Sequence, residues 1–209
     1  VAKGDKIAFV GPDSIAKTAL FRVLAGELEP DQGEFKWGVT TSQSYFPSDN
    51  SKYFDGVELT LVDWLRQYTT YTLEADIRGW LGRMLFSGEE ALKMANVLSG
   101  GERVRCMLCK MMLSGANVLI LDEPTSGLDG ANMRNVSQII RKLAGMGRTI
   151  LVITHDAECA LSCCDRAIRL ENGAITDDFP IHSVDILLDK IGYQSCGRSE
   201  EHTSELQSH

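Results

Sequence analysis

Hydrophobic and polar positions along the chain alternate between two patterns. Short runs of β-branched and other apolar residues predict strands, and longer stretches with helical periodicity separate them. The predicted strands are residues 6–10, 35–46 in two pieces, 118–121, 149–154 and 166–170. Strands that alternate with helices are typical of an α/β sheet with crossover helices.

The longest stretch between predicted strands, residues 58–114, has helical periodicity and contains no strand-like run. We predict that it forms a helical subdomain inserted into the sheet core. Ser99 and Glu102 before its last helix have the spacing of a capping box. One face of this helix is apolar at i, i+3, i+4, i+7 and i+8, through Val104, Met107, Leu108, Met111 and Met112.

Composition limits the classes of function. A chain of 209 residues with 44% hydrophobic content is large enough for one full core. The net charge of -8 argues against broad electrostatic attraction to nucleic acid, and no direct DNA binding is expected. No apolar run approaches the roughly 20 residues that cross a bilayer. Six cysteines lie largely inside periodic apolar segments, which favours a reducing, cytoplasmic location.

Both ends of the chain are unusual. Val1 leads directly into the first predicted strand, and we interpret this as an N-terminal truncation. Residues 198–209 (RSEEHTSELQSH) look like the translation of a sequencing adapter and are set aside. The predicted organisation is one domain over residues 1–182, a C-terminal extension over 183–197 and this artefactual tail.

The segment after the first strand, from Gly11 to Thr18, is GPDSIAKT. It is close to the phosphate loop in which backbone N–H groups and a lysine, here Lys17, surround phosphates at a helix N-terminus. Ser14 and Ala16 stand where such loops carry glycine. If either site needs a positive φ, its Cβ costs about 1 kcal/mol or more. For this motif alone, an ordinary strand–turn–helix is an equal alternative.

Two further segments carry candidate chemistry. The apolar strand at 118–121 ends in Asp122 and Glu123, at the sheet edge where doubly wound folds bind ligands. Asp122 suits the Mg²⁺ shell, and Glu123 suits orienting or deprotonating a water. The segment LSGGE at 98–102 joins a serine and two glycines to a helix N-terminus, which is typical of an anion site. A helix cap alone does not explain the two glycines.

Taken together, these motifs resemble the ATP-binding cassette (ABC) ATPases. In chain order they match the family's Walker A loop (GPDSIAKT), Q-loop (Gln43), signature (LSGGE), Walker B with catalytic glutamate (LDEP), D-loop (SGLD) and switch histidine (His155). The resemblance covers about residues 1–180. It implies an α/β P-loop NTPase fold of the ABC nucleotide-binding type.

The resemblance also implies roles for individual residues. ATP and Mg²⁺ are the implied ligands, and a second ABC cassette, in the same chain or as a dimer, is the implied partner because each signature serves the opposing ATP. The implied nucleotide-binding residues are Gly11, Ser14, Ala16, Lys17, Thr18, Ser99, Gly100, Gly101 and Asp129. The implied Mg²⁺ residues are Thr18, Gln43 and Asp122, and the catalytic ones are Glu123, His155 and Gln43.

Two subfamilies contribute to the resemblance. Residues 1–125 resemble the second cassette of an ABC-F protein, a group without membrane domains that mostly acts on ribosomes. Residues 126–182 resemble a transporter ATPase of the energy-coupling-factor type. ABC-F proteins usually carry Asn-His where Ser126 and Gly127 stand. This contrast leads to the hypothesis that the chain joins two genes through their shared LDEPT segment.

Three functions stay open at this point. The first is Mg-ATP hydrolysis by a paired ABC-F cassette acting in translation, with the ribosome as partner. The second is the ATP-hydrolysing subunit of a membrane transporter, with a transmembrane subunit as partner. The third is a nucleotide-binding regulatory module with little turnover, which the departures at Asp13, Ser14 and Ala16 keep open.

Overall fold

The computed structural model describes residues 1–71, 73–182 and 187–188. Apart from residues 187–188, the predicted extension at 183–197 and the tail at 198–209 lie outside the described residues. The strands are β1 (Lys6–Val10), β2 (Gln43–Phe46), β3 (Val118–Asp122), β4 (Thr149–Ile153), β5 (Arg166–Glu171) and β6 (Ala174–Pro180). The helices are α1 (Ser14–Leu24), α2 (Leu61–Arg66), α3 (Glu74–Arg83), α4 (Gly100–Leu113), α5 (Gly130–Gly145) and α6 (Ala157–Cys163).

These strands form one sheet in the order β2-β3-β4-β1-β5-β6. The first five strands are parallel, and β6 is antiparallel to β5. The α/β fold with a mainly parallel sheet is therefore confirmed. Strand β6 was not predicted from the sequence, although the Asn172-Gly173 turn before it is a typical hairpin signal. Both turn residues have positive φ, 52° and 76°.

Alternation along β1 divides the core between the two faces of the sheet. Ile7 and Phe9 pack on one face with Phe21 of α1. Ala8 and Val10 point to the other face, where the remaining helices pack. Both faces are covered, so β1 is apolar at successive positions instead of alternating with polar residues.

The first piece of the predicted strand at 35–46 is wrong, because only Gln43–Phe46 is a strand. Trp37 instead donates its indole N–H to the carbonyl of Leu24 at 3.0 Å. The chain then turns, with the amide of Thr41 bonded to the carbonyl of Gly38. These bonds hold the first part of the segment against the end of α1, and Thr40 and Ser42 then bond to Asn117 beside the start of β3.

Helices α2, α3 and α4 occupy most of the region between Leu61 and Leu113. Trp64 in α2 is fully buried and stacked on Phe54. The predicted capping box is confirmed, since both of its hydrogen bonds are present at Ser99. The apolar face of α4 is confirmed as well, because all five of its residues are buried. The boundaries of a separate helical subdomain stay a prediction.

Candidate nucleotide-binding site

Parallel pairing brings three loops to one edge of the sheet. Ile153 pairs with both Asp122 and Phe9, so β1, β3 and β4 end side by side. The segments that follow these strands carry the phosphate loop, Glu123 and His155. This is the edge at which open α/β sheets bind ligands.

The phosphate loop begins at a position that only glycine fits. Gly11 has φ +125°, and a Cβ there would lie 2.0 Å from the carbonyl oxygen of Leu170. Helix α1 starts at Ser14 with Asp13 as N-cap, whose Oδ1 accepts the amide of Ala16 at 2.9 Å. Ser14 and Ala16 are therefore helical and have no positive φ. The penalty expected for a Cβ at positive φ does not apply to either residue.

Lys17 is completely buried at the base of the loop. Its Nζ donates to the carbonyl of Gly11 at 2.6 Å. Burial lowers the pKa of Lys17, and the carboxylates of Glu123, Asp122 and Asp13 oppose this shift. The lysine is held inside the loop that it would use to contact a phosphate.

Asp122 is also completely buried, and both of its carboxylate oxygens accept hydrogen bonds. Oδ1 accepts from the hydroxyl of Thr18 at 3.2 Å. Oδ2 accepts from the hydroxyl of Tyr45 at 3.1 Å. Tyr45 is not among the residues predicted from the sequence. Its only sequence signal is strand alternation, which places Tyr45 opposite Ile120 and on the same face as Asp122.

The Thr18–Asp122 pair fits a Mg²⁺ ion by its chemistry. Mg²⁺ prefers hard oxygen ligands and is usually held by one or two carboxylates, with phosphates and waters filling the shell. No group of three or more His, Cys, Asp or Glu side chains in the described part of the chain is arranged to hold a metal. A nucleotide-bound Mg²⁺ does not need such a cage, so the hydroxyl and carboxylate are a sufficient donor set.

Glu123 and His155 contact each other across the loops after β3 and β4. Oε1 of Glu123 lies 2.8 Å from Nε2 of His155 but has no aligned hydrogen-bond donor. Ser14 Oγ lies 3.3 Å from the same nitrogen. Glu123 has a strained φ of 53°, and its burial raises the pKa of its carboxyl. A buried acceptor with raised basicity, beside a phosphate loop, suits orienting or deprotonating a water.

Gln43 does not reach this edge. It pairs with Val118 at the start of β2 and β3, four positions before Asp122. At roughly 3.3 Å per residue, this separation is about 13 Å along the strand. The expectation that Gln43 arranges Mg²⁺ or takes part in catalysis is therefore wrong for its position in this fold. The residues that reach the correct edge from β2 are Pro47, Ser48 and Asp49.

The signature residues form a second cluster at the N-termini of α4 and α5. Ser99 caps α4, and Asp129 caps α5 by accepting the amides of Ala131 and Asn132. The hydrogen bonds from Asn132 lower the pKa of Asp129. Across residues 1–71 and 73–182, no side-chain hydrogen bond links this cluster to the phosphate loop. Ser99, Gly100 and Asp129 are all exposed.

The two signature glycines have different surroundings, and this difference can be tested. A Cβ on Gly101 would lie 2.4 Å from Oδ1 and 3.1 Å from Cβ of Asn132, whereas one on Gly100 would meet only Leu128 at 3.5 Å. We expect Gly101→Ala to lower the free energy of unfolding by about 1–3 kcal/mol through overpacking. The matched Gly100→Ala should be neutral or stabilising by up to about 1 kcal/mol, because alanine favours the helix.

Urea unfolding of the two variants beside the wild type measures this difference. Equal stability of the two variants would contradict the close packing of α4 against Asn132.

Comparison with known proteins identifies the family. The profile described as "ABC transporter" matches residues 1–126. The chain belongs to the ABC ATPase family. It is 53% identical over 174 residues to the uncharacterized ABC transporter ATP-binding protein YkpA of Bacillus subtilis, covering 83% of this chain and 32% of that protein. It is 33% identical to the probable ATP-binding protein YbiT of Escherichia coli O157:H7, with the same two coverages.

Solved structures agree with this assignment. The dimeric ADP- and phosphate-bound ABC cassette MJ0796 matches with a TM-score of 0.71, 18% identity and 88% coverage of both chains, which supports the fold. The archaeal ribosome recycling factor aABCE1, in complex with a ribosomal stalk protein, matches with a TM-score of 0.72 and 27% identity. That alignment covers 92% of this ABC ATPase domain and 38% of the other chain. The domain spans about a third of the curated relatives named above.

Two other features of this ABC ATPase domain concern its helices and its cysteines. None of the helices in the described residues is long and apolar enough to span a bilayer. The five cysteines in those residues, Cys106, Cys109, Cys159, Cys163 and Cys164, are buried free thiols. Burial raises the pKa of the Cys106 and Cys109 thiols, which disfavours the thiolate needed for metal binding or redox chemistry.

Proposed function

We propose that this domain binds Mg-ATP at the phosphate loop and hydrolyses it when paired with a second ABC cassette. One observation carries the proposal. A buried lysine, a hydroxyl–carboxylate pair and a glutamate–histidine pair, which lie far apart in sequence, converge on one sheet edge. This combination supplies a phosphate contact, a cation site and a group that activates water.

The residues divide the chemistry among them. Lys17 would exchange its bond to the Gly11 carbonyl for a bond to a phosphate oxygen of ATP. Thr18 and Asp122 would hold the Mg²⁺, which neutralises charge that develops on the phosphates. Glu123 would orient the attacking water through Oε1, which has no aligned donor, and His155, whose Nε2 lies 2.8 Å from this oxygen, would help to hold Glu123 in place. Positioning and charge stabilisation supply most of the rate in phosphoryl transfer.

A second cassette would complete the site. The exposed Ser99 and Gly100 lie at the N-terminus of α4, a 14-residue helix, and helix N-termini favour phosphate. No side-chain hydrogen bond within the described residues connects them to the phosphate loop of the same chain. They are therefore free to contact a nucleotide held by another cassette. The dimeric structure of the ABC cassette MJ0796, which has a similar fold, supports this arrangement.

For the biological setting we propose an ABC-F type role in translation. ABC transporter F family member 5 of Arabidopsis thaliana is 29% identical over 178 residues, and the archaeal ribosome recycling factor is similar in fold. A transporter subunit is the second candidate, because a putative metal-chelate type ABC transporter matches with a TM-score of 0.74 at 22% identity. Co-purification separates the two roles: ribosomal particles support the first, and a membrane protein supports the second.

A nucleotide-binding module with little turnover is supported by one specific observation. Asp13 accepts a hydrogen bond from the Ala16 amide at the N-terminus of α1. The carboxylate therefore occupies a backbone N–H group that a phosphate would use. Its negative charge also opposes an incoming phosphate. ATP affinity without turnover, in a protein that contains both cassettes, would favour this module over the ATPase.

The decisive test of ATP binding is the variant Lys17→Ala. Titration calorimetry with Mg-ATP on the complete chain should show binding by the wild type and at least about a 100-fold loss in the variant, since a desolvated charge-assisted contact to phosphate disappears. Lys36→Ala, an exposed lysine away from the loop, is the matched control and should bind as the wild type does. Equal binding by all three proteins would contradict the proposed phosphate site.

The hypothesis that two genes join in the LDEPT segment stays a prediction. Long-read sequencing across codons 115–135 of the source tests it, and an unbroken read with even coverage would contradict it.

A further inference from the structure

Tyr45 makes a contact that the proposed chemistry leaves unexplained. Its hydroxyl donates to Oδ2 of Asp122 at 3.1 Å, while Thr18 donates to Oδ1 at 3.2 Å. The carboxylate is fully buried, and a buried carboxylate is costly unless its oxygens are hydrogen-bonded. Thr18 is a candidate cation ligand, so Tyr45 is the donor that stays in place when Thr18 turns to a cation.

The sheet register fixes the position of Tyr45. Tyr45 pairs with Ile120 on the neighbouring parallel strand, two residues before Asp122 on the same face. Its ring packs against the core cluster that contains Phe9 and Phe21. The ring is anchored by packing, and the hydroxyl reaches along the strand to the carboxylate.

We propose that Tyr45 is a positioning residue for the divalent cation: it holds Oδ2 of Asp122 so that Oδ1 faces Thr18 and the cation. This inference rests on the proposed Mg-ATP function and deepens it. A ligand's hydrogen-bond partners orient it toward the metal, and their removal typically weakens metal binding about 10–100-fold. Without the tyrosine hydroxyl, the buried carboxylate is free to rotate and loses one of its two donors.

The test is Tyr45→Phe, which keeps the packed ring and removes only the hydroxyl. Manganese(II) is the probe, and its affinity for the ATP-bound complete chain is measured by electron paramagnetic resonance. We expect at least about 10-fold weaker Mn²⁺ binding. ATP affinity measured by calorimetry in EDTA should change by less than about 2-fold, because the hydroxyl faces Asp122 and not the phosphate loop.

Tyr53→Phe is the matched control. The Tyr53 ring contacts Lys52 and Lys110 through its face, and phenylalanine retains that face. Mn²⁺ binding by this variant should equal that of the wild type. Equal Mn²⁺ affinity in Tyr45→Phe and wild type would overturn the positioning role. An equal loss of ATP affinity with Mn²⁺ present and in EDTA would overturn it as well.

A double-mutant comparison keeps the inference testable if Tyr45→Phe lowers overall stability. In an Asp122→Asn background, Tyr45→Phe should cause no further loss of Mn²⁺ affinity, because the two residues act through one contact. An additive loss would overturn the inference. A wild type that binds ATP in EDTA but shows no cation-dependent gain would overturn the Mg²⁺ part of the proposed function, and the role of Tyr45 with it.

Discussion

ATP turnover is expected to fall at least about 100-fold when Glu123 is replaced by glutamine, while ATP binding is retained. A positioned acid–base group contributes roughly 10²–10⁴-fold to a rate, and glutamine keeps the shape without accepting a proton. The buried Oε1, which has no aligned donor beside it, is the atom that glutamine would alter. Losing the negative charge should also favour bound phosphate, so ATP is expected to stay bound.

Phosphate release and retained nucleotide, measured on the domain paired with its second cassette, check this expectation. Glu158→Gln is the matched control, since Glu158 is exposed on α6 and no side-chain hydrogen bond in the described residues joins it to Glu123 or His155. An unchanged rate of ATP hydrolysis in Glu123→Gln would mean that another residue activates the attacking water. Absence of turnover in the wild type, with ATP bound, would favour the regulatory module.

Gly11→Ala is expected to lower the free energy of unfolding by about 2–6 kcal/mol. Two effects add: a positive φ that alanine rarely adopts, at about 1–3 kcal/mol, and overpacking at about 1–3 kcal/mol. The obstacle is backbone, because the new Cβ would lie 2.0 Å from the Leu170 carbonyl oxygen in β5. Neither strand can move away without breaking sheet hydrogen bonds between β1 and β5.

Urea unfolding with Gly26→Ala as the control separates these two effects. Gly26 also has a positive φ, +76°, but a Cβ there meets nothing within 4 Å. We expect this control to lose only about 1 kcal/mol. If both variants lose the same stability, the close approach of the phosphate loop to β5 is not a constraint.

Local sequence was sufficient for the elements whose signals lie within a few residues. The capping box at Ser99 and Glu102 fixes the start of α4, because its two hydrogen bonds join neighbouring residues. The apolar run before Asp122 predicted β3 for the same reason. The segment at 35–42 has a strand-like pattern but is not a strand, because its bond to α1 and its own turn compete with strand pairing.

Gln43 shows where motif order fails as a guide to position. Gln43 comes at the expected place in the order of motifs along the chain. The direction of its strand, however, decides at which end of the sheet the residue lies. Gln43 begins β2, whereas the phosphate loop follows the end of β1. The order of motifs in the sequence does not show at which end of the parallel strands a residue lies, whereas strand register does.

The sequence by itself determined the family and the α/β class and predicted the roles of Lys17, Asp122 and Glu123, because these depend on residue type and local pattern. Only the tertiary structure decided which groups meet. It excluded Gln43 from the site, brought Tyr45 to Asp122, and set Glu123 against His155. The physical reason is that each of these contacts joins residues from different strands or loops. Strand register and direction, which no local pattern encodes, fix their distances.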